Sequence, residues 1–281
     1  MKSKLTMISH ALLTFREFAY LPFIKNAMKN PMSKESVLSF FYGQDYWSAS
    51  HVDAMRQGVP LQTMNDLWYG GGDEYDDLCR NFIPVIRSLG EHQTQQKGSS
   101  QSTELSSSEL AEWNRSVDGL MAQVICFDQL SRNCFRGSDE AFAYENQSLD
   151  IVRRIVNEKF QEVAVQGSTS TTALSTSTLD GEMYPPYVSS MITCLMHSES
   201  LSDMNVANSL VEISLERFQD IESVQKSFVY QSTFLDDHRK VIDKFGRYPH
   251  RNDKLGRETT PEEQAWLDDK ENLPGWAKSQ G

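Results

Sequence analysis

The feature that most limits what this chain can fold into is its hydrophobic spacing. Leu110, Trp113, Val117, Leu120 and Val124 recur every three or four residues, as do Leu149, Val152, Ile155, Val156 and Phe160. The same period joins Tyr187, Met191, Cys194 and Leu195; Val206, Leu210, Ile213 and Phe218; and Phe234, His238, Val241, Ile242 and Phe245. That spacing stacks apolar side chains on one face of a helix, whereas a half-buried strand alternates every second residue. No segment alternates convincingly, so the pattern predicts an all-α chain.

Local signals agree. Ser33 suits an N-cap before Val37, Leu38 and Phe41, with Gly43 as the stop. Ser106 with Glu109, and Thr260 with Glu263, read as capping boxes, and Pro185 and Pro261 fit first turns. Asn146 is expected to cap a further helix, Pro84 to bend or break the one it enters, and residues 44–66 to be irregular. No repeat of fixed period is visible. The organisation expected is an extension or first helix over 1–31, one helical domain over 32–270, and a tail over 271–281. Residues 91–108 and 166–180, polar and rich in Ser or Thr, read as flexible insertions.

Charge narrows the partners. With 27 Lys and Arg against 39 Asp and Glu, the net charge is −12. Nucleic-acid binding needs a basic face, so that class is set aside. Cys79, Cys126, Cys134 and Cys194 form no C-x-x-C pair, which points to buried free thiols in a reducing compartment such as the cytoplasm. No apolar run reaches the roughly 18 residues of a membrane helix. Residues 1–30 are locally basic and amphipathic, so organelle import is the alternative location.

Two polar blocks stand out. Asp128, Arg132 and Arg136 fall at i, i+4 and i+8, with Gln129 and Asn133 alongside, and make one stripe on a helix. The stripe is either a solvated face or a donor array for carboxylate or phosphate, which arginine grips with paired hydrogen bonds. The second block, Phe245–Arg257, places Arg247, His250, Arg251, Asn252 and Arg257 between Gly246 and Gly256. Gly246 closes the preceding helix, and Pro249 is expected to hold the following backbone extended. Its arginines either cap helix ends and pair with Asp243, Asp253 or Glu258, or lower the pKa of His250. His197 and Glu199 lie where a helix gives way to a turn, suited to proton transfer, a structural hydrogen bond or, less well, a metal with His238. His238 itself sits on an apolar face, as a core residue or a ligand contact.

These blocks resemble the domain-of-unknown-function family numbered 924. The resemblance is carried by Leu67-Trp68-Tyr69-Gly70, by Phe127–Gly137, by Met196-His197-Ser198-Glu199 and by Phe245–Asn252 with Leu255-Gly256-Arg257, and spans roughly residues 35–268. It implies stacked antiparallel helix pairs of tetratricopeptide-like form in a single domain, and it supplies no reaction. Ser131 stands where the family usually has proline, and Cys134 replaces an apolar residue. Both changes leave the polar groups in place.

The reading these residues support is a pocket for a small anion, phosphate or carboxylate. His197, His250, Glu199 and Asp128 are the acid–base candidates. Gln129, Arg132, Asn133, Arg136, His238, Arg247, Arg251, Asn252 and Arg257 are the binding candidates. No cofactor and no metal set is assigned. The alternative is a non-enzymatic module that offers a groove to a peptide or protein.

Overall fold

The computed structural model describes residues 22–64, 73–94, 105–161 and 179–278. Its helices are α1 Pro22–Lys29, α2 Lys34–Tyr42, α3 His51–Arg56, α4 Val59–Thr63, α5 Asp73–Cys79, α6 Ile83–Thr94 and α7 Ser107–Trp113. There follow α8 Val117–Val124, α9 Ser131–Cys134, α10 Glu145–Lys159, α11 Pro185–His197, α12 Leu201–Arg217, α13 Glu222–Phe245, α14 Pro261–Asp268 and α15 Gly275–Lys278. The chain is all-α, one domain around one contiguous apolar core. Among the described residues there is no strand, only an isolated bridge between Ser116 and Asp180.

The centre of the packing is α11. Every residue from Pro185 to Met196 is buried, as expected of a helix with apolar groups on all sides. Its polar side chains stay satisfied: Ser190 Oγ donates to Pro186 O, and Thr193 Oγ1 to Ser189 O. Around α11 pack α12, α13, α10 and α8, with α12 and α13 joined to their neighbours by short loops. Because α11 is enclosed along its length, His197 at its end is delivered to the interior edge of the bundle.

Ser33 caps α2, Gly43 closes it, and both capping boxes form. Pro185 takes the first turn of α11, and Pro84 the first turn of α6, after a 3-10 turn over Arg80–Phe82 that separates α6 from α5. The four cysteines are buried free thiols. Five local expectations need correction. Residues 44–66 carry α3 and α4, the second starting where Gly58 adopts φ 66° ahead of Pro60. Asn146 is not a cap, since Tyr144 holds that position and Glu145 opens α10. Glu91–Thr94 continue α6, Leu105 is buried with its N–H on Ser88 Oγ, and Ser107 opens α7, so both ends of 91–108 are ordered parts of the fold. Phe234 is 36% exposed, the inner face being taken by Leu235. Pro249 begins a 3-10 turn, and the extended residue is Tyr248 before it. Leu67–Gly72, most of the Ser/Thr-rich stretches and residues 1–21 lie outside the described residues.

Candidate functional site

Between α8 and α9 the chain winds more widely, as a π-helical stretch over Ile125–Leu130. Such single turns shift the phase of a helix and recur at functional positions. The expected polar stripe divides further on, where α9 ends at Cys134 and Phe135 leaves helical geometry. Asp128, Gln129 and Arg132 turn inward, while Arg136 lies beyond the end of α9 and pairs with Asp76 at 2.6 Å. Asn133 goes with Arg136, accepting a hydrogen bond from its Nη2 at 3.0 Å.

Asp128 is the hub of the inward half. His197 Nδ1 lies 2.8 Å from Oδ1 and 3.1 Å from Oδ2, Arg132 Nε lies 3.3 Å from Oδ1, and Gln129 donates to Oδ2. Burial alone would raise the Asp128 pKa, but His197 and Arg132 outweigh it and hold the carboxyl well below its usual range. Arg132 is permanently charged, so Asp128 stays ionised when His197 is neutral. Burial, then Arg132, lower the His197 pKa against the pull of Asp128. The neutral ring therefore donates Nδ1–H to the carboxylate and keeps Nε2 as its basic nitrogen.

The Phe245–Arg257 block reaches the same place. Gly246, at φ 68°, turns the chain out of α13, and the Pro249–Arg251 turn buries Arg251. Arg251 Nη2 donates to His197 O at 2.8 Å, its Nη1 meets Glu145 Oε2 at 3.0 Å, and its guanidinium stacks 4.4 Å over Tyr248. His238 points its Nδ1–H at Phe234 O, and its ring lies 6.4 Å from that of His197. Burial, then His197, hold His238 down to about 3. Burial, then Arg251, hold His250 down to about 2. The low pKa expected of His250 is present, but burial ranks first among its causes, ahead of Arg251 and Arg132.

Asp128, Gln129, Arg132, His197, His238, His250 and Arg251 thus form one cluster. The other candidates are tied up beside it. Glu199 accepts from Arg257 at 2.7 and 3.0 Å and from Tyr248 N–H at 2.8 Å. Arg247 pairs with Glu263 at 2.6 Å, and Asn252 donates to the same carboxylate at 3.2 Å. Local pairing with Asp243, Asp253 or Glu258 side chains is not what these arginines do. They reach acids outside their own block.

Sequence spacing missed three members. Glu145 bridges Arg132 and Arg251, Phe142 lies under both guanidiniums, and Trp276 stacks on His238. Glu145 is the first residue of α10, a favoured place for an acid, which is the signal that could have found it. Among the described residues no group of three or more His, Cys, Asp or Glu is placed to hold a metal ion. No helix among them is long and apolar enough to cross a membrane.

An all-α protein with a charged cluster buried at one end of its central helix is the class that this geometry defines. The chain belongs to the family described as "Bacterial protein of unknown function (DUF924)", whose model matches residues 37–271. It is similar to a solved structure, the protein of unknown function ATU0120 from Agrobacterium tumefaciens, at 18% identity and TM-score 0.45, over 78% of this chain and 98% of that one. No curated protein matches the chain.

Proposed function

We propose that the cluster binds a small anion, phosphate or carboxylate, and that His197 Nε2 is the base that acts on it. One observation carries the reading. Arg132 Nη1, Arg251 Nε and His250 Nδ1 are buried without a hydrogen-bond partner among the described residues. Arg132 is only 5% exposed, Arg251 3% and His250 8%. Arg132 Nη1 and Arg251 Nε are donors, as is His250 Nδ1 in the tautomer protonated there. Each buried donor left unsatisfied costs about 1–3 kcal/mol, and an anion accepting from these nitrogens recovers that cost. Asp128 orients His197, and Glu199, fixed by Arg257, holds the Tyr248–Arg251 turn in place.

Calorimetry with inorganic phosphate and with succinate tests the proposal. Binding of at least one is expected in the full chain and is expected to vanish in Arg132→Lys and Arg251→Lys, which keep the charge and lose the planar fork. Folded protein that takes up neither probe would sink the reading.

A second reading, a tetratricopeptide-like module for a peptide or protein, has one observation in its favour. Val229, Tyr230 and Phe234 stand exposed on α13, with the two aromatic rings packed edge to face at 4.9 Å. On this reading Tyr230→Ser with Phe234→Ser abolishes partner capture and leaves phosphate binding intact. Retained capture counts against it.

A further inference from the structure

After α14 the chain turns back over the cluster. The Trp276 indole stacks on the His238 ring with centres 3.9 Å apart and planes at 19°. It also meets Tyr248 at 5.7 Å and His250 at 5.4 Å, both nearly edge-on. One side chain therefore covers two imidazoles and the ring on which Arg251 rests. The His238 ring cannot turn away from it freely, because its Nδ1–H is held by Phe234 O at 2.8 Å.

The segment that carries Trp276 is held in a particular way. Leu273 and Ala277 are buried, so apolar side chains attach it to the body. Its backbone is bonded mostly to itself: the N–H groups of Leu273, Ala277 and Lys278 donate to Asp269 and Pro274, and Lys270 N–H reaches back to Asp268 O at the end of α14. Asn272 likewise turns back onto Asp269. A segment with its own hydrogen bonds and an apolar underside opens as a unit about its junction with α14, where the Lys270–Asp268 bond sits at the hinge.

We infer that residues 269–278 form a lid over the anion cluster, and that Trp276 is the apolar wall against which the carbon skeleton of a bound organic anion rests. The ligand class that follows is an acid carrying a flat apolar group rather than a bare inorganic ion. Arg132 and Arg251 would take the acid, and the indole, which already accepts a flat ring on one face, the apolar part. This inference rests on the anion-binding reading above.

The test compares inorganic phosphate with phenyl phosphate by calorimetry on the full chain. Wild type is expected to bind phenyl phosphate about tenfold more tightly, the scale of one aromatic contact. Trp276→Ala is expected to erase that ratio, and Trp276→Phe to retain most of it. In hydrogen exchange, the amides of 270–278 are expected to open faster than those of Pro261–Asp268 and to slow when phenyl phosphate binds. A ratio unchanged in Trp276→Ala, or a segment as protected as α14 without ligand, overturns the inference and leaves the anion site standing. Wild type that binds neither of these probes nor succinate removes the anion site and this inference together; wild type that binds succinate alone overturns this inference and leaves the anion site standing.

Discussion

Arg132 Nη2 and Arg251 Nη1 converge on a single oxygen, Glu145 Oε2, at 3.3 and 3.0 Å. Both guanidiniums also lie 5.2 Å from the centre of the Phe142 ring. Two buried cations this close repel one another unless an acid stands between them, and Glu145 is that acid. Replacing it with glutamine keeps the shape and removes the charge. Glu145→Gln is expected to lose about 2 kcal/mol of unfolding free energy, less than a fully buried pair would, because the carboxylate is 20% exposed. Urea melts with and without inorganic phosphate check this, and phosphate should stabilise the variant more than wild type. Equal stability in the two proteins would mean that the arginines do not need the bridge.

The buried imidazoles set a pH dependence. His238 and His250 titrate at about 3 and about 2 in the folded protein, and at about 6.5 in an unfolded chain. Between those values the unfolded state binds more protons, so stability rises with pH. The contribution is complete above pH 6.5 and is lost as the pH falls toward the folded values. The groups facing His250 are Arg251, Arg132, His238, His197, Tyr248 and Trp276, none of which supplies a negative charge to hold its proton. From pH 6 to pH 5, each imidazole should remove up to about 1.4 kcal/mol from the unfolding free energy. His250→Gln should flatten the slope by up to one proton. Denaturant midpoints at closely spaced pH values measure it, and an unchanged slope would place His250 in contact with solvent.

The crossing of α7 and α8 makes a sharper prediction. A Cβ added at Gly119 would overlap Trp113 O and stand 2.6 Å from Trp113 Cα, and backbone cannot yield as a side-chain tip can. Gly119→Ala should therefore cost about 3 kcal/mol, the upper end for overpacking, although alanine is the better helix former. A thermal melt close to wild type would show that the two helices separate easily.

Helix content was legible because it depends on local spacing: the periods around Leu120, Ile155, Met191 and Leu210 all found buried faces. Caps were legible for the same reason, as at Ser33, Ser106 and Thr260. The site was legible in composition but not in partition. Arg132 and Arg136 look equivalent on an ideal helix, and only the end of α9 before Phe135 sends one inward and the other to Asp76. Arg247 and Arg251 lie four residues apart, yet the turn at Pro249 buries one against Glu145 and leaves the other on Glu263. Trp276 was missed because its role depends on where the chain returns, which no local pattern encodes. The start of α10 falls at Glu145 rather than after Asn146, a shift of the size that helix ends ordinarily show.

That partition gives a crossed test using two arginines of one stripe. Arg136 holds Asp76 through Nε at 2.6 Å and Nη2 at 3.0 Å, and Asp76 is only 2% exposed. Arg136→Ala leaves a buried carboxylate without its cation and should cost about 1–3 kcal/mol, the range for losing charged hydrogen bonds. It should not change the affinity for inorganic phosphate, because Arg136 lies outside the cluster. Arg132→Lys should do the reverse. The ammonium still faces Asp128, so stability falls little, but a point charge does not replace the fork that reaches Glu145 and leaves Nη1 over. Calorimetry and urea melts on both variants read the four values. If Arg136→Ala loses phosphate affinity as Arg132→Lys does, the stripe works as one surface, and the division drawn at the end of α9 is wrong.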